Sequence, residues 1–368
     1  MEQFIMKTKV YMGKSALEHL KDFQIRRAFI ICDPFMAESG MVKRITDCLD
    51  RQQAVYEIFS EVVPDPDIHV VTKGIGHMTA FAPDTLIALG GGSAIDTAKA
   101  VRYIYEQGTS EKKKCLIAIP TTSGTGSEVT SFSVITDREK NVKYPLRDDA
   151  MVPDVALLDP ELVVSVPAAV TADTGMDVLT HALEACASEK ACDFGDAFAE
   201  KAVKLIFDYL ETAVKNGENQ DARERVHNAS CMAGVAFNST SLGLCHGMAH
   251  ALGAKFHISH GRSNAMLLSH IIAYNAETAA ERYTKAASVL GISSPTGKTA
   301  ALNLSRKVKQ LRDKIGIPEK VTSLGISRKE FLDAVPEMAE TALKDPCTET
   351  NPRKPVLAEI EQIFAKLV

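Results

Sequence analysis

"DTLIALGGGSAIDTAKA" (residues 84–100) decides how this chain folds. Its first half is a short apolar run closed by glycine, the pattern of a strand buried in a sheet. Its second half opens a stretch with helical spacing, "SAIDTAKAVRYIYEQ" (93–107). A strand, a glycine turn and a helix in that order begin a parallel α/β unit. Glycine lets the backbone turn sharply and lets an anion approach the main chain. Ser93 is placed to cap the helix, with Asp96 completing a Ser-x-x-Asp pattern. Amides at such a helix start suit a pyrophosphate. The motif matches neither G-x-G-x-x-G nor G-x-x-x-x-G-K-[ST], so on the glycines alone a plain tight turn is an equally good reading.

Outward from this stretch the pattern repeats. "RAFIICD" (27–33), "QAVYEIF" (53–59), "CLIAIPTT" (115–122) and "DVALLDP" (154–160) read as further buried strands. Their alternation with helical segments predicts a mainly parallel sheet covered by helices. After "VSVPAAVTADTG" (164–175) the texture changes to Ala-rich and charged stretches with helical spacing and no convincing strand. The expected organisation is an α/β domain over 1–165 and an all-α domain over 166–368. Two domains also suit a length of 368 residues.

Bulk properties exclude several classes. Net charge is −5, from 42 basic and 47 acidic residues, which leaves no basic footprint for nucleic acid or an anionic membrane. No run approaches the roughly 20 apolar residues of a membrane span. The start, "MEQFIMKTKVYMG", lacks the pattern of a signal peptide. Eight scattered cysteines without a C-x-x-C pair read as reduced thiols, so the expected compartment is the cytoplasm.

A second polar loop strengthens the case for a nucleotide. "PTTSGTGSEVT" (120–130) sets Thr121, Thr122, Ser123, Thr125 and Ser127 around two glycines directly after a strand. Open α/β sheets bind ligands at such strand ends. Asp33 ends the first confident strand, where a carboxylate accepts hydrogen bonds from a ribose and repels a 2′-phosphate. That favours NAD over NADP, although a strand-end turn Asp is the plain alternative.

The chemistry of the second half is carried by histidine. "HGMAHALGAKFHISHG" (246–261) holds four of the chain's ten histidines. His246 and His250 are four apart, as are Asp177 and His181 in "DTGMDVLTHALEA" (173–185), and residues four apart share a helix face. One lone histidine there would be ordinary, but the set together points to a metal site. A carboxylate and imidazoles without thiolate suit Fe²⁺ or Zn²⁺ and a catalytic rather than structural site. The H-E-x-x-H of zinc proteases is absent, because Gly247, Met248 and Ala249 separate the histidines.

Together, "GGGSAIDTAKA", "PTTSGTGSEVT", "GMDVLTHALEA" and "HGMAHALGAKFHISHGRSNAMLL" resemble the iron-containing (group III) alcohol dehydrogenases. The resemblance runs from the N-terminal strands to "DPCTETNPR" (345–353). Within the family, "VKYPLRDDAMVPDVALLDPELVVSVP" (142–167) is similar to the propanol dehydrogenases of propanediol-utilisation microcompartments, with ethanolamine-pathway alcohol dehydrogenases close by. The resemblance implies a Rossmann-like N-terminal domain, a helical C-terminal domain and an active site in the cleft between them. By motif it assigns Asp177, His181, His246 and His260 as ligands of Fe²⁺, with Zn²⁺ as the alternative. His250 becomes the catalytic histidine beside the nicotinamide, and His257 falls at a variable position. For NAD(H) it implies Asp33, Gly91, Gly92, Ser93, Thr121, Thr122 and Thr125, and more weakly Asp65 and Lys143.

The implied activity is NADH-dependent reduction of short-chain aldehydes such as propanal to primary alcohols, and the reverse. Lactaldehyde, 1,3-propanediol or butanol oxidoreduction, or a zinc enzyme like glycerol dehydrogenase, are the alternatives. Implied partners are the small aldehyde or alcohol, further copies of the chain in a homodimer or larger homo-oligomer, and a microcompartment aldehyde dehydrogenase. A dehydroquinate-synthase-like enzyme would need a basic cluster that the second-domain motifs lack. A non-enzymatic scaffold would not need the intact Asp177, His181, His246, His250 and His260 set. Two positions depart from the family pattern: many members carry Pro where Ala251 and Ser259 stand. Loss of the proline before His260 is expected to loosen the loop that carries it.

Overall fold

Six short strands lie side by side in one parallel sheet, in the order β1-β8-β5-β4-β2-β3. They are β1 (Lys9–Met12), β2 (Arg27–Cys32), β3 (Val55–Phe59), β4 (Thr85–Gly90), β5 (Cys115–Pro120) and β8 (Val155–Leu158). Two more, β6 (Phe132–Asp137) and β7 (Val142–Arg147), form a separate antiparallel hairpin. This computed structural model describes residues 4–109, 113–139 and 142–368, without the side chains of Val142 and Lys143. The chain divides into two compact units, Ile5–Ser165 and Val166–Val368, the latter joined by Phe4.

The α/β unit is layered because its central strands are apolar on both faces. Along β2, Phe29 and Ile31 point into one core with Val70, Met78, Ile95 and Val101. Ile30 and Cys32 point into the other with Leu20, Ile45 and Leu49. Period-two side chains thus feed two helical layers, one on each face. From β2 the chain runs outward to β3 and returns on the far side of β2 as β4. That reversal puts a switch point at the carboxyl ends of β2 and β4, where open α/β sheets bind ligands.

In the second unit the helix Ala168–Ala187 is the central element. From Ala185 back to Gly175 every residue is buried, polar ones included. It packs against the helices Asp193–Lys215, Gln220–Thr240 and His260–Asn275. A helix buried all round can carry polar groups only if neighbours satisfy them. Asp177, His181 and Glu184 lie along it at helical spacing, and their partners come from those neighbours and from the helix Leu244–Phe256.

Candidate functional sites

Three loops leave the carboxyl edge of the sheet from adjacent strands. Cys32 registers with Leu89 and Gly90 with Pro120, so Asp33, Gly90–Gly92 and Thr121–Thr125 emerge together. Gly90 has φ +149°, and a Cβ there would lie 2.7 Å from that of Ala94, so the turn admits only glycine. A Cβ on Gly92 would fall 2.7 Å from Thr125 Cγ2, which shows how closely the glycine turn abuts the polar loop.

Ser93 does not cap the helix Gly92–Gln107. The N-cap is Gly91, which provides no side-chain cap. Asp96 serves a different purpose. Its Oδ1 accepts from Ser127 Oγ at 2.5 Å and its Oδ2 from the amide of Val134 at 2.9 Å. The fully buried Lys99 donates to Ser127 Oγ, Thr130 Oγ1 and the carbonyl of Phe132. Burial holds Lys99 down at about 8 and raises Asp96. One helix turn therefore ties the glycine loop, the polar loop and the β6–β7 hairpin together and leaves the first helical amides uncapped.

Asp33 caps the short helix Pro34–Glu38, accepting from the amide of Met36 at 3.0 Å. Its Oδ2 lies 3.5 Å from where a Gly90 Cβ would stand, so the carboxylate also borders the switch point. Asp65 is exposed, at φ 51°, in the turn after β3. Thr136 links that turn to the hairpin: its amide donates to the Pro66 carbonyl at 2.8 Å, and it registers with Lys143 on β7. The side chain of Lys143 lies outside the described residues.

In the helical unit, Asp177, His181, His246 and His260 each offer one ligand atom, and those atoms all lie within 4.8 Å of one another. Asp177 and His181 come from one helix, His246 from the next helix but two, and His260 from the first turn of His260–Asn275. The first three are at most 4% exposed, whereas the His260 side chain is 41% exposed. His181 stacks between Phe237 and His246, at ring separations of 4.5 and 4.7 Å.

Second partners orient this set. His246 Nδ1 and Glu184 Oε2 share a hydrogen bond at 2.5 Å, which turns the His246 Nε2 toward Asp177 Oδ1, 3.7 Å away. Glu184 also accepts from the Cys245 amide at 2.7 Å, at the start of the helix that carries His246. Asn264 Nδ2 donates to Asp177 Oδ1 at 2.8 Å and lies 3.2 Å from His260 Nε2. Burial raises Asp177 and pushes Glu184 up to about 8, while burial and the neighbouring imidazoles hold His246 well below its ordinary value. Imidazole nitrogens and a carboxylate oxygen are donor types that a divalent cation such as Fe²⁺ or Zn²⁺ takes. The residues present therefore fit such an ion.

His250 stands apart from the four. Its Nδ1 donates to Asp345 Oδ2 at 2.8 Å, and its ring stacks on His260 at 5.2 Å. Cys347 is the third member of that second group. His257 is exposed, in the left-handed region at φ 54°, and ends the helix Leu244–Phe256. Sequence reasoning missed Glu184, Asn264 and Asp345. Glu184 is seven residues past Asp177 and Asn264 four past His260, so helical spacing held a signal for both. For Asp345, distant in the chain, there was none.

Comparisons with known proteins place both halves of the chain in one family. The family "Iron-containing alcohol dehydrogenase" matches residues 7–160. "Fe-containing alcohol dehydrogenase family, C-terminal" matches residues 171–368. The chain is 45% identical to 1-propanol dehydrogenase PduQ of Salmonella typhimurium, with all of both chains covered. Among solved structures, a 1,3-propanediol oxidoreductase superposes with a TM-score of 0.94 at 32% identity, again over the whole of both chains. A sulfoacetaldehyde reductase from Bifidobacterium kashiwanohense, solved in complex with NAD+, reaches 0.90 at 28% identity, covering 100% of this chain and 98% of that one. The chain belongs to the iron-containing alcohol dehydrogenase family and is an oxidoreductase that interconverts alcohols and aldehydes.

Proposed function

We propose that the chain is an NAD(H)-dependent, iron-containing dehydrogenase that reduces short-chain aldehydes such as propanal and oxidises the corresponding primary alcohols. The observation that carries this reading is the convergence of Asp177, His181, His246 and His260, in a chain 45% identical to a 1-propanol dehydrogenase over its full length. Those four residues hold the iron. Asp33, Gly91, Gly92, Ser93, Thr121, Thr122 and Thr125 hold NAD(H), with Asp65 and Lys143 at the margin. When bound, the ion supplies Lewis acidity and the nicotinamide accepts or delivers the hydride.

The protein's own contribution is orientation and proton handling. Glu184 orients His246 by engaging Nδ1 in a hydrogen bond, so that Nε2 is the ligand atom. Asp345 does the same for His250, whose Nε2 is then the atom that gives or takes the hydroxyl proton. The uncapped amides at the start of Gly92–Gln107 receive the pyrophosphate. The carboxylate of Asp33 meets the adenosine ribose and disfavours a 2′-phosphate there.

The family resemblance also supports a homodimer or larger homo-oligomer, and a microcompartment aldehyde dehydrogenase as neighbour. No described helix is long and apolar enough to cross a membrane. The test is anaerobic metal analysis combined with a panel of C2–C4 aldehydes and diols under NADH or NADPH. Bound iron and aldehyde-dependent loss of NADH absorbance, strongest near propanal, are expected. Protein that binds Fe²⁺ and NADH yet turns over no short aldehyde would overturn the proposal.

A further inference from the structure

Of the four residues proposed to hold iron, His260 lies nearest the surface. It is the exposed member, and it sits on the first turn of its helix, where a chain end is free to fray. The residue before it, Ser259, stands at the N-cap with φ −56° and ψ 144°. A serine there ordinarily turns its oxygen onto the second or third amide of the helix. Here it makes no such bond. Its hydroxyl donates instead to Asp173 Oδ2 at 2.7 Å. Asp173 Oδ1 accepts from Arg262 Nε at 3.1 Å.

Both ties converge on a 9% exposed carboxylate one helical turn before Asp177. Between them, Gly261 presses so close to this turn that a Cβ would fall 2.2 Å from the Asp173 carbonyl oxygen. His260 is therefore bracketed by two residues, 259 and 262, that both grip Asp173. The same helix, four residues on, presents the Asp177 Oδ1 that lies 3.3 Å from His260 Nε2.

We propose that Asp173 is a positioning residue. It fixes the segment 259–262 against the helix of Asp177, and so sets His260 at the metal site. This rests on the proposed ligand set. It also answers the expectation that Ser259 in place of proline would leave the loop loose: the serine gains from a side-chain bond the restraint that a proline ring would give covalently. The backbone at 259 already has the φ that proline imposes, near −65°. The serine's hydrogen-bonded restraint and a proline's covalent one are thus interchangeable at this position.

The test measures Fe²⁺ affinity of the full chain, stripped of metal, by anaerobic competition with a chromophoric chelator. Circular dichroism and a cooperative unfolding transition of each metal-free variant confirm the fold. His260→Ala is expected to lose tight binding. Asp173→Ala is expected to weaken it about tenfold or more, the range for a partner that orients a ligand. Adding Ser259→Pro to Asp173→Ala is expected to restore affinity to within about threefold of the parent, through the fixed φ. Should Asp173→Ala not fold, Ser259→Ala removes one tie alone and is expected to weaken binding in the same direction.

Affinity unchanged in Asp173→Ala, or in Ser259→Ala where that replaces it, would overturn the positioning role while His260→Ala still loses metal. A double variant as weak as Asp173→Ala would overturn the claim that restraint of this segment is what Asp173 supplies. Parent-like affinity in His260→Ala would instead overturn the ligand set on which the inference rests.

Discussion

Nδ1 of His250 donates to Oδ2 of Asp345 across 2.8 Å, although the two residues stand 95 positions apart in the chain. The bond fixes which imidazole nitrogen faces outward. His250→Ala is expected to cut turnover far more than metal content, by about 100-fold in kcat, since a positioned general acid or base contributes on that order. Asp345→Asn, which keeps the shape but replaces the charged acceptor with a neutral amide, should lower kcat in the same direction with metal retained. Steady-state rates paired with metal analysis decide it. Equal loss of iron and turnover in His250→Ala would make His250 a ligand.

Asp33 has two tasks, and they separate on substitution. As the N-cap of Pro34–Glu38 it is replaceable by glycine at roughly a few tenths of a kcal/mol. As the proposed ribose partner it is not. Asp33→Gly is expected to shift the ratio of kcat/KM for NADH over NADPH by about tenfold, which is about 1.4 kcal/mol, toward NADPH. An unchanged ratio would remove the ribose role and leave only the cap.

Acid sensitivity has a specific contributor in His227. It is 1% exposed within the helix Gln220–Thr240, and burial holds it down at about 4. An unfolded imidazole titrates near 6.5. Between those values the unfolded chain takes up a proton that the folded chain refuses, so stability rises with pH across this window and is lost on acidification. One such group accounts for about 3 kcal/mol at pH 4. The urea midpoint of the parent is expected to fall more steeply than that of His227→Gln from pH 7 to pH 4. Parallel curves would refute the assignment. His270, also held down at about 4 by burial, leaves a residual slope of the same sign in both proteins.

Much of the sheet was legible because its central strands are almost wholly buried. β2, β4, β5 and β8 are short apolar runs closed by turn residues, and the structure places strands at each. The β6–β7 hairpin was not legible, because its pattern is not apolar. Ser133 is buried there with a hydroxyl bond to the Asp96 carbonyl, and β7 runs through Pro145, a residue whose presence argues against a strand. Ser93 and Asp96 gave a false signal for the same reason. Their spacing fits a cap, but Asp96 found stronger partners in Ser127 and Val134, which no local pattern reveals.

In the helical unit, residue type and four-residue spacing were enough to group Asp177 with His181 and His246 with His250. The structure gathers the first three with His260. Which imidazole would join the cluster and which would turn toward Asp345 depends on helix packing, and local spacing treats all of them alike.

The edge where Asp33, the glycine turn and the threonine loop emerge has one further consequence. Neighbouring strands stand about 4.8 Å apart and advance about 3.3 Å per residue. The pairing of Cys32 with Leu89 and of Gly90 with Pro120 therefore acts as a ruler for the three loops. A slip of one residue would offset the loops and turn every buried side chain of the strand to the wrong face. The spacing of the loops is stored in the packed sheet and not in the loops themselves. Apart from the glycines that the close approach requires, their residues can be exchanged to alter what they hold while the distances between them stay as they are.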